Sequence, residues 1–454
     1  MLALLMFTLV MAVVFGGANR QGGVGDAIVI LAATPLLALA VYRILNSPRP
    51  PWGLLLLAGL TMLLPWLQTV NWPSSFIPGA DARHAFGFDH AKVFGIEVHQ
   101  AWSFAPDATS RTMLSFVPPL AVLLGVMALA PGRDRWVLAT IATLVVLSAV
   151  WALAQLAFSG QMDLTFHVDR PSAQATGFFS NRNHFAALMY LGLVLAGFGV
   201  AANLRRMLTE SEGSRHAPKV TGWALVLAFG LVGLAAAQSR AGVVLGAGVL
   251  LLVLVFTVFA FRGTTRGFRR GLGLIGVAAM LIAIHGGVFA AFERFRADPI
   301  DERRVEMQRN SLAVASELWP YGSGFGTFGR VYEQREPAGE IANTFVNRAH
   351  NDWIEIVIEA GVFAIALALG WILWWILRLA RVPPRCREGG SVIEARLLRR
   401  ACVVGVVAIA LHSAVDFPMR TITIATLVAA LVGLAAGWRP MGSSSSGSIS
   451  GASG

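Results

Sequence analysis

Apolar runs of about 20 residues recur from one end of this chain to the other, and a helix needs a run of that length to cross the hydrocarbon core of a bilayer. The runs lie at 1–17, 27–45, 52–70, 112–130, 136–158, 183–203, 220–238, 241–261, 271–291, 358–379, 401–415 and 421–437. None of them shows the strict alternation of a membrane β-strand. Hydrophobic residues make up 56% of the chain, charged residues only 13%, and the mean hydropathy is +0.65. The expected fold is therefore all-α and polytopic, with about 12 transmembrane helices and one large outward loop, 292–355, between spans 9 and 10.

The loops orient the bundle. If the N-terminus faces inward, the inward connections hold the basic pairs Arg133 and Arg135, Arg205 and Arg206, Arg269 and Arg270, and Arg399 and Arg400. Against them stand only Asp134, Glu210, Glu212, Glu388 and Glu394. Positive charge retained on the cytoplasmic side accounts for the net charge of +11 and for contact with anionic membrane lipids. No nucleic-acid partner is needed to explain it. The first span is short and apolar like a signal sequence but lacks the basic start, so it is read as a span; its cleavage would leave the orientation of the rest unchanged. Cys386 and Cys402 fall inward and point to neither a disulfide nor a metal site.

Three parts follow from this reading: spans 1–5 within 1–170, including an outward loop at 71–111; a second membrane domain, 171–437, which includes loop 292–355; and a low-complexity cytoplasmic tail, 438–454. Every inward connection is too short for a nucleotide-binding domain, so an energy-rich substrate has to arrive already activated. The polar chemistry is concentrated outward. Two patterns there are decoys. Gly324, Gly326 and Gly329 have the spacing of a dinucleotide loop but no strand-to-helix context, and read better as a tight turn that lets backbone approach a neighbouring helix or a substrate. His84, His90 and His99 share a loop with acids at spacings that fit no common metal site.

The remaining outward groups stand in costly places. Arg240 lies between two apolar runs with almost no loop around it, where its charge must sit at the membrane boundary or snorkel to headgroups. Arg182, Asn183 and His184 open the sixth span in the same way. Arg303 and Arg304 begin the polar part of the large loop, and Arg348, His350, Asn351 and Asp352 close it. Taken alone, that last cluster could simply be solvated residues capping a helix. The last outward turn, with His412, Asp416 and Arg420, reads as a packing and turn element.

Five strings occur in order on the same expected side: Gly177–Ala186 with Asn181, Arg182, Asn183 and His184; Gln238-Ser239-Arg240-Ala241-Gly242; Arg304 followed by Pro320, Gly322, Gly324 and Gly326; His350-Asn351-Asp352 with Gly361; and His412-Ser413 with Asp416-Phe417-Pro418. Over about residues 170–420, they resemble the successive motifs of the O-antigen ligase and polymerase superfamily. The resemblance implies an inner-membrane glycosyltransferase that takes a glycan from undecaprenyl diphosphate on the periplasmic side, without a metal or other cofactor. The acceptor would be another glycan, the lipid A core or a protein. His350 matches the essential histidine, Arg240 the arginine of the Ser-Arg-Ala-Gly string, and Arg304 the loop arginine. At Gln308 the chain departs from the aromatic that usually follows Arg304, and Arg303 is an adjacent candidate for the same role.

The residue types suit that chemistry. A guanidinium binds phosphate oxygens through a planar fork and stays charged at any relevant pH, while a neutral imidazole can take a proton from an attacking hydroxyl. Arg182, Asn183, His184, Arg348, Asn351 and Asp352 are expected to support the site. Direct attack would invert the anomeric centre. The alternative is a lipid-linked oligosaccharide flippase or other multispan transporter, which should carry ionisable residues at mid-membrane and repeated halves. Neither is evident in the sequence.

Overall fold

The computed structural model describes residues 1–19, 22–77, 79–86, 100–130, 132–159, 161–167, 175–261, 267, 270–271, 273–274, 300–336, 346–381 and 392–437. Among these the chain is almost entirely helical. The helices are α1 (Leu2–Phe15), α2 (Val24–Leu45), α3 (Trp52–Thr69), α4 (Ala80–Ala85), α5 (Pro106–Ser115), α6 (Val117–Met127), α7 (Asp134–Ala157), α8 (Arg182–Thr209), α9 (Ala217–Ala237), α10 (Arg240–Ala260), α11 (Ile300–Glu317), α12 (Phe328–Glu333), α13 (Asp352–Arg381), α14 (Val392–His412) and α15 (Ile422–Ala436). A single two-residue antiparallel pair, Asn71–Trp72 with Gln100–Ala101, closes a loop.

Among the described residues, eight helical segments are long and apolar enough to cross a membrane, and α1 and α15 are shorter apolar helices. The expected span at 271–291 lies almost wholly outside the described residues, as do the tail 438–454, His90 and His99. The fourth span begins earlier than its apolar run: α5 starts at Pro106, so part of the expected polar loop 71–111 is helical.

Helix α8 is the central post. Its apolar window is 83% buried, against 17% for α3, which faces outward along most of its length. Small residues let neighbours close on it: a β-carbon at Gly230 of α9 would lie 2.8 Å from Leu193 Cδ2 of α8. Close backbone approach of this kind drives helix association where lipid offers no hydrophobic gain.

Helix α13 is broken. Gly361 has φ 51° and ψ −134°, outside helical geometry. At the break, Ser323 N–H donates to Ile358 O at 3.0 Å, Gly324 N–H to Glu359 O at 2.8 Å, and Val362 N–H to Pro320 O at 2.9 Å. The glycine turn of the large loop thus supplies the partners that an unbroken helix would find within itself. Non-helical backbone in a membrane protein is tolerated where protein satisfies it in this way. There is also no room for a side chain at its glycines, since a β-carbon at Gly322 would meet Ala360 N at 2.6 Å. The turn's role is therefore to approach a helix.

Candidate functional site

Several helix termini meet at one end of the bundle. Asn181 caps α8, its side-chain oxygen accepting from Asn183 N–H at 2.8 Å, and Ser239 caps α10 by accepting from Gly242 N–H at 3.0 Å. Asn351 caps α13, its Oδ1 accepting from Trp353 and Ile354 N–H at 3.0 and 3.1 Å. Such side chains satisfy amides that the first turn of a helix leaves without partners. The turn after α14 joins the same place, because Asp352 N–H donates to Ser413 O at 2.8 Å.

His350 stands in this convergence with φ 50°, a left-handed conformation unusual for a residue with a β-carbon. Its Nδ1 lies 3.2 Å from Asp416 Oδ1. The carboxylate can only accept, so Nδ1 carries the proton and Nε2 keeps its lone pair, a tautomer assigned from the network. The imidazole is 24% exposed and the carboxylate 1%. Asp416 also accepts from Phe417 N–H at 3.0 Å and, through Oδ2, from the Asn183 amide. Burial alone would push the Asp416 carboxyl up; the hydrogen bond from His350 and the surrounding imidazoles outweigh it and hold the group well below the usual carboxylate range. The Phe417 ring lies edge-on to both His184 and His350, at 4.9 and 5.0 Å between centroids. Deeper in, the hydroxyl of Tyr190 is 3.0 Å from His412 Nδ1.

A buried ionic network adjoins the histidine. Arg348 donates to Glu355 Oε1 at 2.7 Å, while Ala349 N–H donates to Oε2 of the same carboxylate at 3.1 Å. Arg420 donates to Glu359 Oε2 at 2.7 Å, and its Nε is 3.3 Å from Glu355 and 3.7 Å from Asp352. Asp352 accepts from Ser413 Oγ at 2.7 Å and Met419 N–H at 3.1 Å. Burial disfavours the Arg420 charge, but the three carboxylates hold its pKa above the ordinary arginine value. Glu359 Oε1 also accepts from Gly326 N–H at 2.8 Å, which ties the glycine turn to Arg420.

The residues singled out in the sequence fall into three groups here. His350, Asn183, His184, Arg348 and Asp352 are brought together around Asp416 and the network, with Asn351 as the helix cap. Arg240 and Arg182 occupy the first turns of α10 and α8; Gly242 packs on Ala186, so the two turns are neighbours. Arg304, half-buried on α11, lies close enough for its charge to act on His412, and one turn later Gln308 Nε2 donates to His350 O at 3.1 Å. The side chain of Arg303 is outside the described residues. Glu355, Glu359 and the structural part played by Asp416 and Arg420 were missed. The readable signal was Glu359, a carboxylate four residues from another and inside an apolar span, where an unpaired charge is expensive.

Residues 224–369 match the family model described as O-antigen ligase. No curated protein matches the chain. The match takes in Arg240, Arg304, His350, Glu355 and Glu359, while Asn183, Asp416 and Arg420 come from outside it. Its apolar helices make the chain a multi-pass membrane protein, and the matched segment supports a function of the general ligase and polymerase type, a class of glycosyltransferases acting on lipid-linked glycans. Through that segment the chain carries an O-antigen ligase domain.

Proposed function

We propose that this protein transfers a glycan from undecaprenyl diphosphate to an acceptor hydroxyl on the periplasmic face of the inner membrane, with inversion at the anomeric carbon. The observation that carries this reading is the Asp416–His350 pair, which leaves Nε2 of a partly exposed imidazole as an acceptor at the mouth of the bundle. The acceptor oxygen forms the new bond to the anomeric carbon and passes its proton to Nε2. The bond from that carbon to the diphosphate breaks, and its electron pair leaves on the phosphate oxygen. Asp416 keeps the imidazole in the right tautomer and stabilises the imidazolium.

Arg240 and Arg304 bind the diphosphate, two guanidinia taking the electrostatic role that a divalent cation fills in other diphosphate chemistries. Arg348 suits that task less, because its guanidinium is engaged by Glu355. Arg182 opens the helix whose first turn neighbours that of Arg240, and Asn183 steadies Asp416. Residues 1–170 serve as a supporting membrane unit and 171–437 as the catalytic one.

The test is glycan transfer by purified enzyme from an undecaprenyl-diphosphate-linked donor in the presence of EDTA. His350→Ala should lose about a hundredfold or more while still inserting in the membrane, the usual scale for a general base. Activity above about a tenth of wild type would remove His350 from that role. Loss of wild-type activity on chelation would put a metal at the leaving group.

A further inference from the structure

We propose that Gln308 is a positioning residue that, from the loop helix α11, locks His350 into its left-handed conformation. The proposal rests on His350 acting as the base. A residue with a β-carbon at φ 50° keeps that conformation only where its surroundings over-determine it. On the N-terminal side, Glu355 holds both the Arg348 guanidinium and the Ala349 amide. On the C-terminal side, Asp352 N–H is fixed to Ser413 O. Both restraints come from α13 and the turn after α14. At His350 itself the carbonyl accepts from Gln308 Nε2, a donor 42 residues earlier on the loop helix.

The register of α11 makes that bond informative. Arg304, Gln308, Ser311 and Ala315 follow helical spacing on one stripe; Ser311 and Ala315 are buried, whereas Glu306, Arg309 and Ala313 on the other side are exposed. The stripe facing the bundle therefore carries the proposed diphosphate ligand and, one turn on, the side chain that grips the base. A four-residue helical segment is rigid. A displacement of α11 that withdraws Arg304 would also withdraw the restraint on His350, so donor contact and base orientation are set together.

The experiment compares Gln308→Met with wild type in the full-length protein, with an undecaprenyl-diphosphate-linked glycan as donor. Methionine keeps the length and loses the N–H. The expected result is a fall in kcat of about five- to tenfold, the scale of one hydrogen bond, with the donor KM changed less than about twofold. If Gln308 merely docked the helix, Arg304 would shift and KM would rise while kcat held. That outcome, or a kcat within about twofold of wild type, overturns the proposal. Gln308→Asn, which keeps the amide but lacks the reach, should give the same split and covers the case in which the methionine variant fails to accumulate. His350→Ala is run alongside. If it stays active, the base reading fails and the proposal with it; if it is dead and Gln308→Met is normal, only the positioning role fails.

Discussion

At one end of the bundle, Arg348 and Arg420 are buried against Asp352, Glu355 and Glu359; at the other, Arg215 stands 59% exposed between Glu210 and Glu212. The first set is fixed by geometry, since every buried charge removed from water needs a matched partner. The second is an excess of basic side chains in short loops, held in place by the membrane's preference for where positive charge lies. Charge is therefore matched in a buried network at one end and left exposed in a basic loop at the other.

The comparison breaks most completely if the two ends are on the wrong sides. In a background lacking Cys386 and Cys402, Ser316→Cys on α11 should react with a membrane-impermeant thiol reagent in spheroplasts, and Ser214→Cys at the opposite end should not. Both positions are exposed in the structure, so the reverse pattern would invert the topology. A smaller but still large effect should come from Arg420→Gln, which leaves Asp352 and Glu359 without a counter-ion and Glu355 with Arg348 alone. Thermal unfolding in detergent should show a loss of about 3–5 kcal/mol, whereas Arg215→Gln should leave the unfolding temperature nearly unchanged. Equal costs would erase the distinction between the ends.

Arg240→Lys sharpens the contrast within the site end. If a bidentate phosphate contact matters, transfer should fall by about tenfold or more despite the retained charge, since an ammonium cannot reproduce the fork. Near-normal transfer would assign Arg240 to snorkelling. The smallest effect is one of pH. The native Asp416 pKa is depressed, so the carboxylate contributes stability that is present above its unfolded value of about 3.9 and is lost as pH falls toward the native value. The gap in unfolding temperature between wild type and Asp416→Asn should therefore narrow below about pH 4. A constant gap down to pH 3 would contradict the assignment.

How much of this could be read in the sequence differs between the two ends for the same reason. Apolar runs marked the helices, because length and composition alone decide whether a helix can span a bilayer; basic loops set the orientation that the thiol labelling tests. His350 and Asn183 were legible as chemistry because polar side chains at helix mouths are conspicuous in an apolar chain. The Asp416–His350 contact was not, because it joins residues 66 positions apart through a turn whose sequence reads equally well as packing. Glu355 and Glu359 were hidden by the apolar run around them; only the arrival of Arg420 and Arg348 in three dimensions makes those carboxylates tolerable.

The break at Gly361 bears on how such proteins can be recombined. Its backbone partners come from residues 320–324, so the loop and the helix are two halves of one element separated in the chain. A chimera that exchanges the large loop between relatives while keeping the host's α13, or the reverse, would leave peptide groups facing a surface shaped for another sequence. Crossovers placed before α11 and after α13 move both halves together, and those are the junctions at which a transplanted loop should still insert and work.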